Sequence, residues 1–298
     1  MPSSFQKYEA EYRLRIKDSN LRNIAMKDLK SRHLQLFFNS IQENYPFPTL
    51  KRTYSIVKQC ISFAIENEDI FRNPMRSVTI PERDTKPKKR SMPMTSEQQI
   101  LFVNALENSV LDNLIYLALA TGGRIAELIA LTWDDFTGDS IQITKQYRKS
   151  ARIEKDGSKK WVREISVPKS DTSIREIPIT EATRQVLLRE KKIIEEMKSN
   201  FGEKFEDHSL IFCDEYGNYI ESKRPTRKVQ SICKTIGLPP FTFHELRHSY
   251  ATRLYEQGVP IRTIQLLLGH YDIRSTEIYV TVLEDSKKSA IDLLDGII

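Results

Sequence analysis

The stretch from Phe241 to Val282 holds the densest chemistry in the chain. Three of the five histidines fall here, His244, His248 and His270, together with Arg247, and Tyr279 follows His270 by nine residues. His244 and Arg247 are three apart, so on a helix they share a face. Two chemistries fit these groups. His244-Glu245-Leu246-Arg247-His248 has the H-E-x-x-H spacing of a zinc hydrolase, with two imidazole ligands on one helical face and Glu245 as base. No downstream residue stands at a third-ligand spacing, and that reading leaves Arg124, Lys169, His270 and Tyr279 without a task. The second chemistry uses them all. A phosphodiester in transfer builds negative charge on its nonbridging oxygens, and paired guanidinium donors that never deprotonate suit that charge. Tyr279 offers a phenol as nucleophile, a lysine can protonate a departing hydroxyl, and imidazoles can hold an oxygen or pass a proton.

These groups need a frame. Leu246, Tyr250 and Leu254 recur at intervals of four, on a helix face able to pack into a core. Gly258 and Pro260 mark a helix end and a restart. A second apolar helix carries Ile261, Ile264, Leu267 and Leu268. It stops at Gly269, where a capping glycine belongs, and His270 comes next. A short helical segment then presents Tyr279. Upstream, helices are expected over about 96–108, opened by the capping box Thr95-Ser96-Glu97-Gln98, and over about 111–121. Thr121-Gly122-Gly123 breaks the chain, and Arg124 opens a further helix, R-I-A-E-L-I-A-L-T, on which Arg124 and Glu127 share a side. Strands are expected at 140–145, 161–167 and 174–179. The first two are separated by a polar stretch whose Asp156-Gly157 is a hairpin signal, and Lys169 falls on the hairpin turn between the last two. Helices over about 181–198 and 222–236 complete this part, the latter with Lys223, Arg224, Arg227 and Lys228. The chain closes on an amphipathic tail with Ala290, Ile291, Leu293, Leu294, Ile297 and Ile298.

The remainder bounds the partners. Residues 4–66 read as three helices, and residues 77–95, with three prolines and several charges, have linker composition. No apolar run approaches the roughly 20 residues of a membrane span, and the mean hydropathy is −0.47. The N-terminus lacks the apolar core of a signal peptide. Cys60, Cys213 and Cys233 are too scattered for a disulfide framework or a metal site, as suits a reducing cytoplasm. The net charge of +6 is modest. Its distribution is more pointed: residues 83–90 carry five basic groups and one acidic, and residues 145–163 carry eight and two. Such runs beside element boundaries favour a phosphate backbone as partner, through Lys86, Lys88, Lys89, Arg90, Lys145, Arg148, Lys149, Arg224, Arg227 and Lys228.

Four blocks, T-G-G-R-I-A-E-L, P-K-S-D-T-S-I-R-E-I-P, H-E-L-R-H-S-Y-A-T and L-L-G-H with I-Y nine residues on, stand in an order and spacing that resembles the tyrosine recombinase (phage integrase) family, most of all the integrases of phages and integrative conjugative elements. The resemblance implies an α+β protein: an all-helical core-binding domain over 1–80, a basic linker over 81–93, and a mixed α/β catalytic domain with a small antiparallel sheet over 94–298. It implies that Arg124 and Arg247 clamp the phosphate, that Lys169 is the general acid, that His244 and His270 are the active-site histidines, that Tyr279 is the nucleophile, and that Glu127 orients the site. It leaves His248 and Glu245 structural roles and requires neither metal nor nucleotide cofactor. The implied partners are double-stranded recombination sites, held in a C-shaped clamp, and three further copies in a tetramer that exchanges C-terminal tails. Accessory DNA-bending or excision factors belong to the same picture, in a DNA-associated bacterial protein of the cytoplasm. Three other readings share some of these residues: a type IB topoisomerase with the same chemistry, a catalytically silent DNA-binding protein on the same fold, and the zinc hydrolase. The chain begins partway into the core-binding domain relative to the family, which suggests a truncated or unusually short protein.

Overall fold

Apolar residues at helical spacing give the first part of the chain its three helices. The computed structural model describes residues 2–80, 93–154, 158–168 and 171–277. Helix α1 is Pro2–Glu11, continuing into a π-turn at Tyr12–Ile16; α2 is Ser31–Asn44 and α3 is Phe47–Glu66. Pro46 caps α3, and Pro48 lies in its first turn, where the missing N–H has no partner to lose. Leu34, Phe37, Phe38 and Ile41 of α2 bury against Leu50, Val57 and Ile61 of α3. The linker expected at 81–93 lies outside the described residues save for Pro93. The chain divides into two compact units, Met1–Arg90 with Lys149–Val162, and Ser91–Arg148 with Arg163–Ile298.

The second unit is built around α5, Val110–Thr121, whose Leu114, Ile115, Leu117 and Ala118 are all buried. A helix apolar on so many sides must be covered on several faces. Helices α7 (Glu181–Phe201), α8 (Lys223–Thr235) and α9 (Phe243–Glu256) all pack on it. Helix α4 (Ser96–Asn104) opens with the expected capping box: the Gln98 N–H donates to Thr95 Oγ1 at 3.2 Å, and the Thr95 N–H to Gln98 Oε1 at 3.0 Å. The helix opened by Arg124 is shorter than expected. It covers only Ile125–Leu128 (α6), because the next turn tightens into i→i+3 bonds from the Ala130 and Leu131 N–H groups. Helices α10 (Ile261–Leu268) and α11 (Arg274–Glu277) end the described chain.

Among the described residues the strands form two two-stranded sheets. Strand β1 (Ser140–Ile143) pairs antiparallel with β4 (Arg175–Pro178), with Ile141 opposite Ile177 and Ile143 opposite Arg175. Strand β2 (Gln146–Ile153) pairs with β3 (Lys159–Ser166). This corrects the expected pairing of 140–145 with 161–167. The partner is the segment read as a polar spacer, whose basic residues and irregular inward pattern, with Gln146 and Tyr147 and then Ser150 and Ala151 buried, hide the period of two. Strands β3 and β4, expected to pair across the Lys169 turn, belong to different sheets; Lys169 itself lies outside the described residues. The Asp156-Gly157 turn lies outside the described residues. No described helix is long and apolar enough to cross a membrane.

Candidate active site

The site is assembled where three chain breaks meet: the end of α5, the start of α9 and the end of α10. Gly122 terminates α5 with φ +63°, a left-handed conformation in which any Cβ would also strike the Tyr250 ring at 2.5 Å. Gly269 does the same for α10 with φ +65°, and a Cβ there would meet the Thr172 carbonyl oxygen at 3.0 Å. Two helix ends so capped leave backbone carbonyls pointing at the same space, each carrying partial negative charge and needing a donor.

Arginines supply the donors. Arg247, from the first turns of α9, is 2% exposed. Its Nη1 donates to the Gly122 carbonyl at 2.7 Å and its Nη2 to the Leu268 carbonyl at 2.6 Å. Arg124, just before α6, donates from Nη2 to the Gly269 carbonyl at 3.4 Å and from Nη1 to Glu127 Oε1 at 2.7 Å. Its side chain keeps 36% of its surface open. Glu127 also accepts the Arg124 N–H at 2.9 Å, which caps α6 and fixes where the guanidinium begins. Burial alone would raise the Glu127 pKa. The Arg175 guanidinium, then that of Arg124, outweighs burial and holds the group as a carboxylate below its usual range.

The imidazoles sit in the field of these cations. His270 follows the Gly269 cap, and its Nδ1 shares a 2.8 Å hydrogen bond with Thr276 Oγ1. Burial first, then the charges of Arg247, Arg124 and Arg175, depress its pKa to about 3. His244 is shifted in the same direction by partial burial, then Arg247 and Arg124. His248 falls to about 4 through burial, His244 and Arg247. The His244 and His248 rings meet edge to face, with centroids 4.7 Å apart. Glu245, the base of the zinc reading, instead accepts the Thr242 N–H in the capping box that starts α9. Among the described residues no group of three His, Cys, Asp or Glu side chains gathers around a metal position.

The structure thus brings together Arg124, Glu127, His244, Arg247 and His270. Lys169 and Tyr279 lie outside the described residues, as do Lys86, Lys88, Lys89, Arg90 and the tail at 290–298. The remaining basic candidates divide. Lys145 turns inward to Asp135, at 2.8 Å, and to Thr132 Oγ1; Lys228 faces the buried Asp112 at 3.3 Å. Arg148 donates to Gln146 Oε1 at 2.7 Å, and Lys149 lies over the exposed Trp161 ring at 5.7 Å. Arg224 and Arg227 are on the exposed face of α8, with Arg224 3.7 Å from Glu215. Two residues of the site escape the sequence reading. Thr276 sits in a polar segment with no pattern to mark it. Arg175 did leave a signal: it shares strand parity with Ile177 and Ile179, so a charged residue occupies an inward position.

The chain is similar to known proteins in sequence and in fold. The profile described as the phage integrase family matches residues 93–285. A tyrosine recombinase XerC-like protein of Caldanaerobacter subterraneus subsp. tengcongensis is 29% identical over 306 residues, covering 99% of this chain and 78% of that protein. The ICEBs1 integrase of Bacillus subtilis is 28% identical over 239 residues, covering 79% of this chain and 62% of that one. Among solved structures, a Tn1549 transposon integrase in complex with a circular intermediate DNA superposes with a TM-score of 0.76 at 20% identity, covering 99% of this chain and 94% of that one, a likeness of fold.

Proposed function

The chain belongs to the phage integrase family and is a tyrosine recombinase, and from that premise we propose that it integrates and excises a mobile element at specific sites in duplex DNA through a 3′-phosphotyrosine. The Tyr279 oxygen attacks the scissile phosphorus, and its proton passes to a neutral imidazole of the site. The bond from phosphorus to the 5′ oxygen breaks, and the departing 5′-hydroxyl takes a proton from Lys169. Arg124 and Arg247 hold the nonbridging oxygens as charge accumulates on them. His270 engages Thr276 through Nδ1, and we assign Nε2 to the substrate. A 5′-hydroxyl from the exchanging strand then attacks the phosphotyrosine and releases Tyr279. One phosphodiester is broken and one formed, so no nucleotide cofactor is consumed.

The observation that carries this reading is the convergence of Arg124, Arg247, His244 and His270 on one patch, where burial first and the arginine charges second lower the pKa of both imidazoles. A buried cationic patch with neutral imidazoles has donors for an anion that gains charge during reaction. Relatives solved as integrases with DNA support duplex DNA as the partner. In this reading residues 1–80 and 94–298 are the two DNA-gripping domains, and four copies act on two sites with exchanged tails.

The test is trapping on a nicked suicide duplex taken from the boundaries of the element that encodes the chain, with chelator present. The expected result is a covalent adduct on a denaturing gel that is lost in Tyr279→Phe while duplex binding persists. An adduct that survives that substitution would remove Tyr279 from the reaction. Relaxation of supercoils without a second site would favour the topoisomerase reading.

A further inference from the structure

Arg175 is a nearly buried guanidinium with an unusual set of partners. Its side chain is 5% exposed. Three of its nitrogens point to three different elements: Nε donates to the Leu267 carbonyl at 2.7 Å, Nη1 to the Ser173 carbonyl at 3.1 Å, and Nη2 to Glu127 Oε2 at 2.9 Å. Each acceptor adjoins a residue of the site. Glu127 is the carboxylate that orients Arg124. Leu267 precedes Leu268, whose carbonyl takes Arg247, and lies three residues before His270. Ser173 ends the short 3-10 turn Asp171–Ser173, four residues after Lys169 in the chain.

The packing around Arg175 is equally committed. A Cβ on Gly269 would stand 3.1 Å from Arg175 Nη1 and Cδ, so the capping glycine and the guanidinium fit against each other. On the strand, Arg175 faces inward opposite Ile143 at the end of the β1–β4 ladder, which fixes its backbone. A planar fork reaches three divergent acceptors at once; a lysine ammonium, a single point on a flexible stem, does not. With Arg175 in place the buried Glu127 carboxylate is shared between two guanidiniums and stays in register with both.

We propose that Arg175 is a positioning residue of the recombinase, a single buried guanidinium that locks Glu127, the end of α10 and the turn after Lys169 into one frame and so aims Arg124, Arg247 and His270 at the scissile phosphate. It does not touch the phosphate itself. The inference rests on the recombinase reading, and the experiment separates the two.

Wild type, Arg175→Met, Arg175→Lys, Glu127→Gln and the double variant R175M/E127Q are compared on the nicked duplex described above. Single-turnover adduct formation and duplex Kd are measured for each. Arg175→Met is expected to slow adduct formation about ten- to hundredfold, the scale of a small misplacement of reacting groups, with Kd within about threefold of wild type. Arg175→Lys loses less, because an ammonium still faces Glu127. The double variant loses clearly less than the product of the two single losses, since Arg175 acts in part through Glu127. Adduct formation near the wild-type rate in Arg175→Met, a loss matched by an equal loss of affinity, or losses that multiply in the double variant would each overturn the proposal. If Arg175→Met does not fold, Arg175→Lys paired with E127Q decides by the same criteria. Absence of an adduct from wild type sinks the recombinase reading; a normal wild-type adduct with unaffected Arg175 variants sinks this inference alone.

Discussion

His270 is an imidazole that refuses a proton through the range where histidine ordinarily takes one. Burial and three arginines put its pKa at about 3, and His248 titrates at about 4. Both depressions have the same sign for stability. In the unfolded chain these rings protonate as pH falls through 6.5, whereas the folded ones stay neutral until about 3 to 4. The native state therefore loses stability as pH drops through that window and holds it fully above 6.5. Ring ¹⁵N shifts at pH 5 are expected to show His270 neutral, with Nδ1 in the Thr276 hydrogen bond; a protonated imidazolium at that pH would contradict the arrangement. Neutrality fits the chemistry assigned to the site. Cationic charge is left to the arginines, and the imidazoles act as hydrogen-bonding and proton-passing groups.

Helix α7 buries a carboxylate that its surroundings only half satisfy. Glu190 is 0% exposed, its Oε2 accepts from Asn113 of α5 at 2.6 Å, and its Oε1 has no hydrogen-bond partner among the described residues. Burial raises its pKa to about 7. Because the folded value lies above the unfolded one, the native state gives up stability as pH climbs from about 4.5 to about 7. Glu190→Gln is expected to remove that slope, so that denaturant unfolding at pH 8 shows a gain on the order of 2 kcal/mol over wild type that vanishes near pH 4.5. A gain that does not change with pH would refute the assignment. Much at this scale was legible beforehand. The Thr95–Gln98 box, the breaks at Gly122 and Gly269, and the shared side of Arg124 and Glu127 all follow from local rules that need only neighbours in sequence. What was not legible depended on distant partners. Strand β2 is charged enough to pass for a loop until β3 pairs with it. Arg175 shows only an inward strand parity, without a reason for it, until Glu127 and Leu267, 48 and 92 residues away, are brought to it.

At the scale of the whole molecule, the small net charge understates the affinity expected for DNA. In the proposed reading the charge that meets DNA is local, in the runs at 83–90 and 145–163 and on the exposed face of α8. Lys145 and Lys228 are held by Asp135 and Asp112 and so are less available for phosphate contact. Binding to the duplex is expected to weaken roughly a thousandfold between about 50 and about 200 mM salt, as several phosphate contacts require. A flat response across that range would exclude the basic runs as the contact surface.

The fastening of the arginines has a consequence for how the protein comes into being. The bonds from Arg247 to Gly122, from Arg175 to Leu267 and from Arg124 to Gly269 span 125, 92 and 145 residues of chain. None can close by local folding, and two of them await carbonyls that leave the ribosome near the end of the described sequence. A chain that stops short of Leu267 holds most of its helices, but Arg124, Arg175 and Arg247 each lack a carbonyl that they grip in the finished fold. In the proposed reading, competence to break a strand is expected to arrive only with the last part of the described chain, together with the frame that holds the strand for resealing.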